Sequence, residues 1–413
     1  MSVSPLRHPA GRLAGVPGRH CSAADFAPPP ALDRIQRLAV TAGGVGVIVL
    51  AFGAFLSPTY FFRSYLVAWV YCVGIAFGCL ALLMLQHLTG GGWAVVVRRQ
   101  LEAATRTIPL LAVLSLPLLG WGLPHVYSWA NPANVRADRV LQAKAAYLNP
   151  GFFIARTLLY LAIAIILSVL LNRLSLAQDR TANPELPRRM RMVSGPGLVV
   201  FCLMVTFAAV DWLMSIEPHW SSTMYGFYLI ASQALSAVTF TIIIALFLSR
   251  REPMSRVFEA KHFHDYGKLF LAFNMLWTYF CFSQFLITWA GNLPEEIFWY
   301  RHRITGGWGW VAMAVVVFHF MLPFSLLLSR DLKRRPQWLA AVASLMLAMR
   351  FVDLFWQAEP AYGADRRIEL YWMYPAALLA LGGIWLWAFA DQLKKRPLLP
   401  INDPELDKVT VHE

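Results

Sequence analysis

The sequence predicts an all-α, polytopic membrane protein with ten transmembrane helices. Three observations carry that expectation. The 413-residue chain is 58% hydrophobic and only 14% charged, where a soluble chain carries about 25% charged residues. Its apolar residues gather into runs long enough to cross about 30 Å of hydrocarbon. Its 16 tryptophans and 14 tyrosines suit interfacial belts, where an amphipathic ring sits at headgroup level.

Taken in order, residues 1–33 are rich in Pro, Gly and Arg and lack the apolar core of a secretory signal. They read as a disordered cytoplasmic tail. A transmembrane domain then fills 34–392. Its spans are expected near 38–56, 64–87, 107–129, 151–172, 196–216, 223–248, 268–291, 306–328, 337–356 and 371–390. Residues 393–413 read as a cytoplasmic C-terminal tail. The connections are short, so no large soluble domain is inserted. The longest outer link, NPANVRADRVLQAKAAYLNP (131–150), is expected to form a short helix at the membrane surface. LTGGGW (88–93) and ITGGWGW (304–310) echo each other, and their glycines would permit tight turns beside a span.

Most of the 36 basic residues fall on the side of the N-terminus. Arg98, Arg99 and Arg106, then Arg188, Arg189 and Arg191, then Lys333, Arg334 and Arg335 are examples. The other side keeps Arg63, Arg136, Arg139, Lys144, Arg301, Arg303, Arg366 and Arg367. The positive-inside rule then places both termini in the cytoplasm. The net charge of +13 is explained by loops facing anionic lipid, and nucleic acid is not an expected partner. Five scattered cysteines without CxxC or CxxCH spacing give no reason to expect a metal cluster or covalent haem in this chain.

Ionisable groups inside spans are the functional candidates, because a carboxylate at a helix centre costs about 2.5–3.5 kcal/mol on insertion scales. LMVTFAAVDWLMSIEPHW (203–220) carries Asp211 within the fifth span, then Glu217, Pro218 and His219 at its outer end. His125 ends the third span and Arg156 begins the fourth, both at similar depth to Asp211. A His, an Arg and an Asp around one pocket would supply a donor, a fixed cation and a proton acceptor for quinol oxidation. The alternative is an Arg156–Asp211 pair that only locks two helices. In the ninth span Arg350, Asp353 and Gln357 share one face at i, i+3 and i+7, as a proton-transfer site or a self-neutralised pair. His319, midway along the eighth span, is a relay candidate or a helix–helix hydrogen-bond donor. The seventh span adds Asn274, Thr278, Ser283 and Gln284, with Asn274 and Thr278 on one face. At its cytoplasmic mouth EAKHFHDYGK (259–268) gathers Glu259, His262, His264 and Asp265. That cluster would feed an inner half-channel, or is simply a solvated loop.

The stretches VSGPGLVVFCLMVTFAAVDWLMSIEPHWSSTMYG (193–226) and HFHDYGKLFLAFNMLWTYFCFSQFLITWAGNLPEE (262–296), with ITGGWGW (304–310) and RFVDLFW (350–356), resemble the NrfD-like membrane subunits of bacterial alternative complex III. That complex is a quinol:cytochrome c oxidoreductase. The likeness runs from about residue 38 to about 390 and points to the second of its two related ten-helix subunits, the F subunit. The resemblance implies two four-helix bundles, spans 2–5 and 6–9, with spans 1 and 10 at the flanks. It implies no cofactor in this chain; haem c and iron–sulfur clusters would belong to partner subunits. Those partners would be a sister NrfD-like subunit, an iron–sulfur subunit, multihaem cytochrome c subunits and a terminal oxidase, in a bacterial inner membrane. The substrate would be menaquinol or ubiquinol, with the main quinol site in the sister subunit and proton translocation through the paired membrane subunits. A competing class is a proton-coupled secondary transporter, for which Pro109, Pro117 and Pro124 offer one broken helix. A plain anchor is the third class, and five ionisable groups inside spans exceed what an anchor needs.

Overall fold

The structure, a computed structural model, describes residues 23–181, 183–363, 367–403 and 406. Among these residues there are helices and turns and no strand. Ten helical spans are long and apolar enough to cross a membrane: span 1 Ala31–Leu56, span 2 Pro58–Thr89, span 3 Arg98–Val126, span 4 Pro150–Thr181, span 5 Glu185–Ile216, span 6 Tyr225–Ser249, span 7 Ala260–Gly291, span 8 Trp308–Leu328, span 9 Pro336–Tyr362 and span 10 Ile368–Lys394. Several begin a turn or more before their apolar run, because charged residues such as Arg98, Glu102 and Glu185 continue the helix past the hydrocarbon.

Local chemistry fixes where the chain turns. Ser57 accepts from the Tyr60 N–H and precedes Pro58, which needs no hydrogen bond at the first helical position. Gly90, at φ 64°, closes span 2, and Gly307, at φ 91°, opens span 8; a side chain in either conformation would clash with its own backbone. The two glycine motifs therefore do the same local work. In a repeat of the two four-helix sets they would not be equivalent positions. Spans 2 and 6 are four crossings apart and run in the same direction, so the loop after span 2 would match the loop after span 6, not the one after span 7.

Spans 2–5 pack as one ring and spans 6–9 as a second, with spans 2 and 6 in contact at the centre. Span 2 presses Gly78 against the backbone carbonyl of Gln233 in span 6, a crossing too close for any side chain at Gly78. Spans 1 and 10 lie along one another and against span 2. There Gly43 and Gly46 meet Gly383 and Ala380 backbone to backbone, the small-residue contact that lipid-embedded helices use in place of hydrophobic drive. The fold is thus two four-helix bundles with two flanking helices.

Three connecting regions depart from the expected layout. Residues 23–33 are not a tail: Ala23–Phe26 is a 3-10 turn, and Phe26 and Leu32 are buried. The remaining residues of that expectation, 1–22, lie outside the described residues. Residues 394–403 are no free tail either. Leu398 and Leu399 are buried, and the Leu398 N–H donates to the Phe26 carbonyl. The outer link forms two short helices, Pro132–Ala137 and Arg139–Lys144, because Asp138 caps the second by accepting from the Val140 and Leu141 N–H groups.

Candidate functional site

Span 5 places Asp211 against span 4, where Arg156 grips it with both arms. Arg156 Nε donates to Oδ2 at 2.8 Å and Nη2 to Oδ1 at 2.9 Å, and the Tyr160 hydroxyl adds a 2.7 Å bond to Oδ2. Asp211 is fully buried. The third arm of Arg156 reaches the Tyr147 carbonyl at 2.9 Å, and its guanidinium stacks between the Tyr147 and Phe152 rings. Burial, and after it the Asp211 carboxylate, pushes the Tyr147 phenol up to about 12. Three bonds, two of them from a guanidinium, hold the Asp211 carboxylate, so the unit is a charge-neutral clamp between two helices.

His125 does not join it. Its Nδ1 is 3.3 Å from the Thr59 hydroxyl, and its ring stacks on Phe62, both on span 2. Span 3 turns His125 toward that neighbour because five residues, Leu118–Gly122, wind as a π-helix after Pro117. The extra residue per turn rotates everything that follows. The expected His125–Arg156–Asp211 pocket is therefore a pair plus a separate histidine.

The second bundle holds a longer arrangement. Arg350 and Asp353 are ion-paired along span 9. The Tyr228 hydroxyl of span 6 lies 2.6 and 2.7 Å from the two Asp353 oxygens and accepts from Gln357 Nε2 at 2.9 Å. Tyr225 donates to Gln357 Oε1 at 2.9 Å. Arg303 continues the chain, donating to the Gln357 carbonyl at 2.6 Å and pairing with Glu217 at 2.7 Å. Burial pulls the Arg303 guanidinium below its usual range, and Glu217 opposes that pull. Glu217 finally meets His302 Nδ1 at 2.9 Å, and His302 is half-exposed at the outer end of the spans. Hydrogen bonds and ion pairs thus run from Arg350 in span 9 to the half-exposed His302.

Two cavities flank this chain. One, lined by Gln233, Ser236, Tyr71 and Arg350 among others, offers about 10 Å³ to a water's centre. The other, between Tyr225, Tyr228, Cys281, Gln284 and Trp356, offers about 30 Å³. Each has room for a water or two, far short of the roughly 300 Å³ at which small-molecule pockets begin. The Gln233 amide oxygen is buried in the first without a partner.

His319 sits on the inner side of the chain, in a second π-helical stretch, Val315–Met321. Its ring lies over Trp277, centroids 3.9 Å apart, and it is fully buried with neither nitrogen hydrogen-bonded to a described residue. The Trp277 indole N–H and both amide atoms of Asn274, one turn below on span 7, are also buried and unpartnered. Thr278 uses its hydroxyl on the Asn274 carbonyl. Unsatisfied polar atoms so close together are rare in protein interiors, and the group has hydrogen-bonding capacity for water.

At the mouth of span 7, the expected cluster is divided. Glu259 and His262 cap the helix for each other: the Glu259 N–H donates to His262 Nδ1 at 3.0 Å and the Glu259 side chain returns to the His262 N–H. Asp265 pairs with Lys268 at 3.0 Å on the surface. His264 keeps a buried Nδ1 without a partner among the described residues.

Sequence reasoning missed two sets of residues. Tyr160, Tyr225 and Tyr228 were hidden among tyrosines that suit interfacial belts, yet each bonds a buried polar group. Arg98 and Arg99 read as loop charges, but both are buried, pairing with Glu102 and, through Ser175, Gln178, Asp179 and Asp403, tying spans 3 and 4 to the C-terminal segment. The spacing of Arg98 and Arg99, four and three residues before Glu102, was the available signal.

No protein-family model matches this chain, and no curated protein matches it. Among the described residues, no three His, Cys, Asp or Glu side chains converge as metal ligands would.

Proposed function

We propose that this chain is a proton-conducting membrane subunit of a respiratory quinol:cytochrome c oxidoreductase of the alternative complex III type. The observation that carries the reading is the file of hydrogen bonds and ion pairs in the second bundle, from Arg350 through Asp353, Tyr228 and Gln357, where Tyr225 also bonds, to Arg303, Glu217 and His302. The two-bundle architecture, which the family resemblance implied, supports it. In this reading the chain lies in a bacterial inner membrane with both termini in the cytoplasm. It works beside a sister NrfD-like subunit, an iron–sulfur subunit and multihaem cytochromes, with a terminal oxidase downstream. Those partners carry the haem c and iron–sulfur clusters.

Asp353 is the carrier in this scheme. Ionised, it holds Arg350 and Tyr228. Once protonated it gives up most of its attraction for Arg350, which is then free to turn to the Gln233 oxygen across the adjoining cavity. Tyr225, Gln357 and Tyr228 all donate toward Asp353, so in this scheme the proton leaves through water in the cavity beside Tyr228 and Tyr225, toward Glu217 and His302. The narrow cavities and the locked Asp211 support a conducting role here, with menaquinol or ubiquinol oxidised elsewhere in the complex.

The test is the assembled complex in sealed vesicles, with quinol-driven cytochrome c reduction and proton release measured together. Asp353→Asn is expected to keep electron transfer within about twofold and to lower proton release at least fivefold. An assembled variant with full proton release would refute the reading. Copurification with multihaem and iron–sulfur proteins tests the partners. A second reading, a proton-coupled transporter, draws support from the π-helical breaks in spans 3 and 8; solute uptake by vesicles holding this chain alone would favour it.

A further inference from the structure

Spans 7 and 8 leave most of their surface outside the protein, with Leu276, Phe282, Leu322 and Leu328 among the exposed apolar side chains. Where these two spans end on the N-terminal side, the short helix Arg330–Arg334 crosses span 7. It brings Lys333 onto Gly267: a Cβ there would stand 2.6 Å from the Lys333 Cγ. Only a glycine lets the lysine stem lie flat across the helix. Lys333 is 8% exposed, and its ammonium makes no hydrogen bond or ion pair with a described residue.

Its surroundings add cations. One residue beyond Gly267 is Lys268, and one turn before it is His264, whose buried Nδ1 is unpartnered. Lys268, Lys333 and Arg334 all act on His264 electrostatically, against the single carboxylate of Asp265. Burial, and after it Lys268, holds the Lys333 ammonium below its usual range. A lysine whose stem is packed against a helix and whose ammonium has another cation beside it, with a ring nitrogen to spare, is a receptor for a compact anion.

We propose that Lys333, Lys268, His264 and Arg334 bind the phosphodiester of an anionic phospholipid whose acyl chains lie along the exposed faces of spans 7 and 8. The headgroup depth follows from the position of the cluster at the ends of both spans. A basic pocket between helices, at the level where cytoplasmic-leaflet headgroups lie, is the geometry that such lipids favour. Lipid is preferred over a free anion because the exposed apolar faces of spans 7 and 8, with Leu328 at the span end, start at the level of this cluster.

The experiment uses the full chain purified in mild detergent, with native mass spectrometry for retained lipid and thermal melting for stabilisation. Phosphatidylglycerol is expected to be retained and to raise the melting temperature by several degrees, while phosphatidylcholine and inorganic phosphate do neither. Lys333→Gln with Lys268→Gln should lower retention at least tenfold. Gly267→Ala keeps every charge but displaces the Lys333 stem, and should do the same. Lys268→Gln alone, at an exposed side chain that leaves folding intact, should give a smaller loss, and Arg139→Gln at the other end none. Equal stabilisation by phosphatidylcholine or by inorganic phosphate would overturn the proposal. So would undiminished phosphatidylglycerol retention in the folded variants, which would point to an acidic protein surface as the natural occupant.

Discussion

Replacing Asp211 by Asn removes one charge and almost no volume, so its effect separates a helix clamp from a chemical site. The Arg156 guanidinium would remain, 8% exposed, beside a neutral amide. Breaking a buried ion pair by removing one partner costs about 3–5 kcal/mol. The amide oxygen can still accept one Arg156 bond or the Tyr160 hydroxyl, which places the loss near the lower end, about 3 kcal/mol. That is roughly a 150-fold rise in the population of the opened spans 4 and 5. The assay is reversible unfolding in bicelles by steric trapping or denaturant. The double variant Arg156→Met with Asp211→Leu should recover most of the loss, because removing both charges abolishes the desolvation cost as well. If Asp211→Asn unfolds within about 0.5 kcal/mol of the parent yet the complex loses quinol oxidation or proton release, the clamp argument is wrong. Asp211 would then belong to the chemistry.

Glu217→Gln should leave Arg303 buried without its counter-ion, so the complex is expected to lose about 3 kcal/mol of stability and most of its proton release, measured in the same vesicles. His319→Phe fills the space over Trp277 but offers no nitrogen; proton release is expected to fall while electron transfer and melting temperature hold. Gly46→Leu should push span 1 off span 10, seen as loss of a cysteine crosslink engineered between them. Arg396→Ala removes the bond to Asn172 and the ion pair to Glu102; protease should then cut the 394–403 segment faster, and an unchanged rate would contradict the docking.

The spans were legible because crossing lipid forces a one-dimensional signal: about twenty apolar residues in a row, with every backbone group satisfied inside the helix. The pairing of Arg350 with Asp353 was legible for a similar reason, since three residues apart on one helix is a local distance. Asp211 and Arg156 were visible as misplaced charges, but whether His125 joined them turned on the π-helical turn at Leu118–Gly122, which no apolar count records. The tyrosines that complete each carboxylate site were indistinguishable in sequence from tyrosines at a headgroup belt. Lys333 read as one loop cation among many until its stem was seen to cross Gly267.

The sequence by itself determined ten helices, their alternating direction and the presence of charges that lipid would not tolerate. Only the tertiary structure decided which charges neutralise each other, because that depends on how each helix is rotated about its axis. A single π-turn or a glycine crossing sets that rotation. Hydrophobicity says how deep a residue lies, and packing alone says what it faces.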